Sequence, residues 1–397
     1  MSLLDDVSIV VTPNGYKAGE LYAVKPNNGD ADMDVTRATD ATRVDENGLI
    51  KKLGANVPRI DYTGGGCPHI LAEPQRTNIV TYSETYGSGT FFIGTSGSTI
   101  DNTTNISPSG DANATQLTST GAGKLQSGGL GLTQNTDYVL SFYAKNVDAT
   151  LVNSRVLGLG GSGGTNLTSV DYTSQLSTTE WTRITHTFNT GTNTTIYVYL
   201  SSSLNSGGTI QLWGAQLEEG SYATSYIPTS GSTVTRNQDI FTRDGIGSLI
   251  NSTEGTLVIE PRYFINDGDA TGRKISISDG TGTNRIYITP YQGLASRIRY
   301  IFTNGGATQA DLQVTGIDIT VSRKLAFVWA TNRFELWQNG YKISEDTSGA
   351  TPSAGTFNQI HFGSETGNGT ELFEGELKQL QVYTTALSDD QIRQITQ

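Results

Sequence analysis

The sequence predicts an all-β protein built from two antiparallel β-sandwiches (jelly rolls) in tandem, and three observations support this prediction. Runs such as 138–144 and 194–200 show the apolar alternation of strands, and Gly, Asn or Ser clusters interrupt such runs every 8 to 15 residues. No amphipathic helical stretch separates these runs, which argues against a parallel α/β sheet. The 397 residues also include 47 Gly and 18 Tyr, a composition typical of short strands joined by polar turns.

The turn-rich segments divide the chain into three predicted parts. Residues 1–75 have turn chemistry but few sustained alternations, so they are predicted to form an irregular N-terminal arm with short strands. Residues 76–240 are predicted to form the first sandwich and residues 241–397 the second. The segment 228–237 is rich in turn formers and would connect the two.

Two local patterns predict particular structures. The dipeptide Asn339-Gly340 lies between two strand patterns and is the preferred sequence of a two-residue type I′ hairpin. Near the C-terminus, Ser388 is followed by two acidic residues and then by Gln391, which is the pattern of a capping box. A short capped helix over 389–395 is therefore expected, docked on the sandwich by its apolar face.

Charge and cysteine content exclude several classes of function. The 38 Asp and Glu exceed the 26 Lys and Arg, giving a net charge of -12, so a nucleic-acid partner is not expected. The single cysteine, Cys67, excludes an intrachain disulfide framework. No stretch approaches ~18 apolar residues, so no membrane insertion is expected. Asp5 and Asp6 stand where a secretory signal would carry basic residues, so we expect no Sec export.

The last part of the chain, residues 241–397, resembles the laminin G-like and concanavalin A-like lectin domains. The resemblance rests on the hairpin 334–341, on His361-Phe-Gly-Ser364, and on the closing strand 373–383 followed by the segment 386–392. It implies a lectin-like sandwich. Such domains often hold calcium at the rim of the sandwich.

The middle part resembles the jelly-roll carbohydrate-binding modules that accompany glycan-active enzymes. The matching segments within residues 76–235 are 138–145, 180–184 and 210–218. This resemblance implies a module that binds glycans.

Three further strings resemble the fibre, spike and decoration proteins of tailed bacteriophages, and they lie at 56–62, 71–78 and 213–229. The resemblance implies a non-enzymatic virion structural protein on the exterior surface of the particle. Its N-terminal arm would dock on other virion proteins, and its sandwiches would bind host cell-surface glycans. A homotrimer is also implied, because three weak sites on one projection gain avidity. Two alternatives remain open: a purely structural capsid cement protein and a glycan-degrading depolymerase.

Aromatic side chains are the candidate sugar contacts, because sugar rings stack on aromatic faces. We select Tyr197, Tyr199, Trp181 and Trp337. The two tyrosines alternate with three aliphatic residues, so one of the two sets faces outward. Core packing is the alternative for all four. It is the favoured interpretation for Trp181, and also for Trp213, which is not selected as a sugar contact.

The sequence offers no persuasive catalytic residues. Glu374 and Glu376 are two residues apart on one strand, as in retaining glucanases, but the third acidic residue of that pattern is missing. The three histidines are far apart, and no zinc or phosphate-binding motif occurs. The only cofactor considered is calcium, at Asp267 and Asp269, and a metal-free hairpin loop is the favoured alternative.

Overall fold

The computed structural model describes residues 3–95, 97–121, 123–159, 164–266, 272–290, 296–367 and 369–397. Nearly all regular structure in these ranges is β-strand. The helices are α1 (Leu3–Asp6) and α2 (Asp389–Thr396), with one 3-10 turn at Thr173–Gln175. No described helix has the length and apolar character needed to cross a membrane.

Thirty strands occur in the described residues. In chain order they are β1 (Val7–Lys17), β2 (Glu20–Lys25), β3 (Met33–Thr36), β4 (Ala41–Val44), β5 (Ile50–Leu53), β6 (Ile60–Asp61), β7 (His69–Ala72), β8 (Arg76–Asn78), β9 (Phe92–Gly94), β10 (Ser98–Asn105), β11 (Ala114–Ser119), β12 (Leu125–Ser127), β13 (Asp137–Asn146), β14 (Asn153–Leu159), β15 (Gly164–Asp171), β16 (Thr182–Asn189), β17 (Thr195–Ser201), β18 (Thr209–Glu219), β19 (Val234–Arg236), β20 (Ile240–Arg243), β21 (Glu254–Tyr263), β22 (Ile275–Ser278), β23 (Arg285–Pro290), β24 (Arg297–Asn304), β25 (Ala307–Thr315), β26 (Leu325–Ala330), β27 (Arg333–Gln338), β28 (Tyr341–Asp346), β29 (Gln359–His361) and β30 (Gly375–Tyr383).

The chain forms two compact units. The first unit comprises residues 1–40, 53–74 and 237–397, and the second comprises residues 41–52 and 75–236. Each unit is assembled from segments that are distant in sequence.

The first unit is one antiparallel sheet folded over its own core. Its main path runs β25-β24-β23-β22-β29-β20-β3-β2-β1-β30-β21-β26-β27-β28, and β7 pairs with both β30 and β6. Strands near opposite ends of this path pack face to face: the rings of Tyr300 on β24 and Phe327 on β26 are 5.2 Å apart, and those of Phe302 and Phe334 are 5.0 Å apart. The sheet therefore makes the two layers of a sandwich.

The structure corrects the predicted N-terminal arm. Strand β1 is not separate from the C-terminal sandwich, because it pairs with β30 on one side and β2 on the other. Ile9 and Val11 are 1% and 0% exposed in the core of the first unit. The alternation of β1 is short, and its neighbour β30 lies at the other end of the sequence, so the local pattern did not reveal the pairing.

The second unit is a sandwich of two five-stranded sheets, β10-β11-β18-β13-β16 and β15-β14-β17-β12-β9. Alternate residues of each sheet point into a shared apolar core, where the rings of Phe142 and Tyr172 are 5.5 Å apart. The β4-β5 hairpin also belongs to this unit, since Ile50 packs against Trp213. The all-β class, the antiparallel sandwiches and the C-terminal helix are thus confirmed.

Both local predictions are confirmed as well. Strand β27 ends just before Asn339-Gly340, and both residues have positive φ, 46° and 83°, as a type I′ turn requires. Ser388 caps α2, its side chain accepting from the Gln391 N–H while the Gln391 side chain accepts from the Ser388 N–H. Ile392 is fully buried in an apolar cluster, so the helix docks on the sandwich by one face.

Candidate functional site

The candidate site lies on the outward face of the sheet β15-β14-β17-β12-β9. On β17, Ile196, Val198 and Leu200 are completely buried in the core of the second unit. Because successive side chains of a strand alternate between faces, Tyr197 and Tyr199 point away from that core. The structure thus places both tyrosines on the outward face.

The strand register shows which residues accompany the tyrosines. Tyr199 pairs with Arg155 on β14 and with Gln126 on β12, and Gln126 pairs with the exposed Ile93 on β9. This row crosses four strands, or about 14 Å at the usual spacing between strands. Tyr199 is only 8% exposed within it, so its ring has no open face for a sugar.

Tyr197 is half-buried and is the more accessible of the two rings. It pairs with Leu157 on β14. A side chain added at Gly129 would come 3.2 Å from the Tyr197 hydroxyl, so glycine there allows the ring to lie against the backbone. We call the surface formed by Tyr197, Leu157, Arg155, Gln126 and Ile93 the Tyr197 face.

Arg155 is the functional candidate that the sequence analysis missed. Its Nε donates to the Oδ1 atom of Asn166 at 3.0 Å, across the β14-β15 pair. One signal was available in the sequence: among the residues of β9, β12, β14 and β17, Arg155 is the only charged one. A lone charge inside an alternating strand pattern marks an outward position.

The outward face of the other sheet is covered by side chains of the same unit. Trp213 is 1% exposed, and its ring centroid lies 4.5 Å from that of Tyr226. Trp181 is half-buried, packs against this cluster, and donates its indole N–H to the Ile106 carbonyl at 3.2 Å. The structure therefore does not bring Trp181 together with Tyr197, and Trp181 packs against the Trp213 cluster instead.

The selection of Trp337 as a sugar contact is corrected, because its side chain is fully buried in the first unit. Its indole N–H donates to the Glu335 carboxylate at 2.8 Å. The Lys342 ammonium and the Arg393 guanidinium lie 5.4 and 5.7 Å from the ring centroid. Neither face of Trp337 is open to a sugar, and the residue anchors α2 to the sheet instead.

The predicted calcium ligands Asp267 and Asp269 lie outside the described residues. Among the residues that the structure does describe, no group of three or more His, Cys, Asp or Glu side chains could hold a metal ion.

The acidic residues at the closing strand are each paired with a cation. Glu374 accepts from Arg273 at 3.0 Å, and Glu376 is bonded to Arg262 at 2.5 Å. The carboxylates of Glu374 and Glu376 are therefore each held in an ion pair where β30 begins.

His186 lies inside the second sandwich and connects its two sheets. Its Nδ1 is 2.9 Å from the Ser154 hydroxyl, and the side chain is 2% exposed. Burial lowers the pKa of His186 to about 4. The histidine is therefore neutral in the folded protein at neutral pH.

We expect the second unit to lose stability as the pH falls from 6.5 toward 4. In that window the unfolded chain takes up a proton on His186 and the folded chain does not, which lowers the free energy of unfolding by up to about 3 kcal/mol. Urea unfolding at pH 7 and pH 4.5 would measure this change. The His186→Gln variant should show a smaller decrease, and an equal decrease in both proteins would contradict the assignment.

Comparison with known proteins gives two family matches. Residues 82–207 match a family described as a carbohydrate binding domain. Residues 263–393 match the concanavalin A-like lectin/glucanases superfamily. The first match includes the whole Tyr197 face. Comparison with curated proteins finds no match.

Solved structures of carbohydrate-binding modules are among the similar ones. The Ruminococcus gnavus IT-sialidase CBM40 bound to alpha2,3 sialyllactose is 21% identical, with 36% of this chain and 83% of that chain covered and a TM-score of 0.31. The CBM22-1 xylan-binding domain of Paenibacillus barcinonensis Xyn10C is 14% identical, with 38% and 100% covered and a TM-score of 0.30. The CBM22-1-CBM22-2 tandem domain of that protein is 11% identical, with 78% and 98% covered and a TM-score of 0.29.

Proposed function

We propose that this chain is a non-enzymatic protein that binds glycans through the Tyr197 face. One observation carries the proposal: an outward sheet face with an accessible tyrosine ring and polar neighbours lies in the segment that matches a carbohydrate binding domain. A ring with a polar hydroxyl at its edge suits a sugar, which presents apolar C–H faces rimmed by hydroxyl groups.

The biological setting that we propose is the exterior of a tailed-phage virion. The chain would act as a projecting fibre, spike or decoration protein that attaches to host cell-surface glycans and other virion proteins. The strings at 56–62, 71–78 and 213–229, which resemble such proteins, support this setting. A homotrimer would give a weak site useful avidity, because three linked sites act on one surface.

Replacing Tyr197 with Ala is expected to weaken glycan binding with little effect on folding. Loss of one stacking ring costs about 1 kcal/mol, or roughly fivefold in affinity at a single site. Binding to a glycan array and thermal unfolding would both be measured. The control is Tyr341→Ala, which removes a 75% exposed tyrosine from the first unit and should leave binding unchanged.

Tyr199→Ala separates a binding role from a packing role. Tyr199 is nearly buried, so this variant should lower the unfolding temperature, unlike Tyr197→Ala. If the Tyr197→Ala variant binds the glycan array as well as the unmodified protein does, the proposed site is contradicted. Capsid binding without any glycan binding would favour the cement protein, and glycan turnover by the purified protein would favour the depolymerase.

A further inference from the structure

Arg155 is the charged residue of the Tyr197 face. Within the five strands of its sheet, the sequence contains two charged residues, Arg155 and Asp171. Asp171 pairs with Asn153 at the end of β15, and its Oδ1 atom accepts from the Thr173 N–H at 2.9 Å and hydroxyl at 2.6 Å. The carboxylate is thus occupied locally and forms no ion pair with Arg155 in the described structure.

Among the residues that the structure describes, most of the hydrogen-bonding capacity of Arg155 has no partner. A guanidinium carries five N–H donors, and only the Nε donor has a partner among the described residues, the Asn166 side chain at 3.0 Å. That bond holds one edge of the planar group against β15. The two terminal nitrogens remain available, and their fork geometry suits a planar carboxylate or another oxyanion.

The position of Arg155 relative to Tyr197 suits a single ligand. Arg155 is opposite Tyr199, and Tyr197 is opposite Leu157, so Arg155 and Tyr197 are diagonal neighbours on adjacent strands. Diagonal neighbours on one face lie about 7–8 Å apart. A sugar ring on Tyr197 can therefore carry an anionic substituent to the guanidinium.

From this arrangement we propose that the Tyr197 face selects acidic glycans, whose carboxylate or sulfate pairs with Arg155. This inference rests on the proposed function. The net charge of -12 opposes long-range attraction of such a ligand, so selectivity comes from the short-range contact with the guanidinium.

The test compares matched glycans and two variants of the full chain. An array would carry the same oligosaccharide backbones in neutral, carboxylated and sulfated forms. We expect the unmodified protein to prefer the acidic forms by roughly tenfold or more, and Arg155→Gln to remove that preference. Arg155→Lys keeps the charge without the fork and should recover only part of it. Lys145→Gln removes a charge from β13, in the other sheet, and serves as the control.

The outcomes separate this inference from the proposed function. If the unmodified protein prefers carboxylated forms and Arg155→Gln abolishes this preference, the site recognises a carboxylate. If the same is found for sulfated forms, the ligand is a sulfate. Equal binding of neutral and acidic forms, unaffected by Arg155→Gln but weakened by Tyr197→Ala, overturns the inference and leaves glycan binding intact. Absence of binding to every glycan overturns both.

Discussion

A chain that begins at Glu20 is expected to lose the folded state of the first unit. The deletion removes β1, which lies between β2 and β30, and leaves both neighbours without their shared partner. It also removes the buried side chains of Val7, Ile9 and Val11. At about 1.5–3 kcal/mol for each buried aliphatic residue, this loss alone approaches the 5–15 kcal/mol stability of a typical protein.

Calorimetry of the full chain and the truncated chain would measure this effect as the loss of one unfolding transition. A pair of point variants tests the same packing without a deletion. Val11→Asp puts a charge into the core and should be strongly destabilising, whereas Val24→Asp changes a side chain that is 48% exposed on β2. A truncated chain with both transitions intact would show that residues 1–19 are not needed for the folded state of the first unit.

The predictions that succeeded depended on local patterns. Strand alternation gave the all-β class, the Asn339-Gly340 dipeptide gave the hairpin, and Ser388 with Gln391 gave the capped helix. Each of these features is determined by residues within a few positions of one another.

The predictions that failed depended on contacts between distant segments. Val11 pairs with Leu380 on β30, and no local pattern links positions so far apart. The indole ring of Trp337 is of the type that can stack on a sugar, but it is buried because α2 folds back over β27. The sequence likewise left the register of β17 open, since only the neighbouring sheet decides whether Tyr197 or Ile196 faces the core.

A buried charge network in the first unit also depends on contacts between segments that are distant in the sequence. Arg37, Arg59, Glu73 and Asp239 are all at most 4% exposed. Arg59 and Glu73 belong to two of the strings that resemble phage virion proteins, at 56–62 and 71–78. Asp239, which contacts both, lies 180 residues after Arg59 and 166 residues after Glu73, so the network was visible only in the structure.

Asp239 is the centre of this network. Its Oδ1 accepts from Arg37 at 2.9 Å, and its Oδ2 accepts from Arg59 and from the Glu73 N–H, the latter at 3.0 Å. Burial lowers the pKa of Arg37, although Asp239 opposes that shift. Burial also disfavours the charged form of Arg59, but Asp239 and Glu73 together raise its pKa above the usual value. Both arginines therefore depend on the Asp239 carboxylate.

Replacing Asp239 with Asn is expected to cost about 3–5 kcal/mol of stability, because it leaves two buried guanidinium groups with too little negative charge. The amide also presents N–H donors where the carboxylate accepted from arginine. Urea unfolding would measure the change, with Asp311→Asn as the control, since the Arg299–Asp311 pair is partly exposed and worth at most about 1 kcal/mol. Equal unfolding midpoints for the two variants would show that the buried network contributes no more than a surface ion pair.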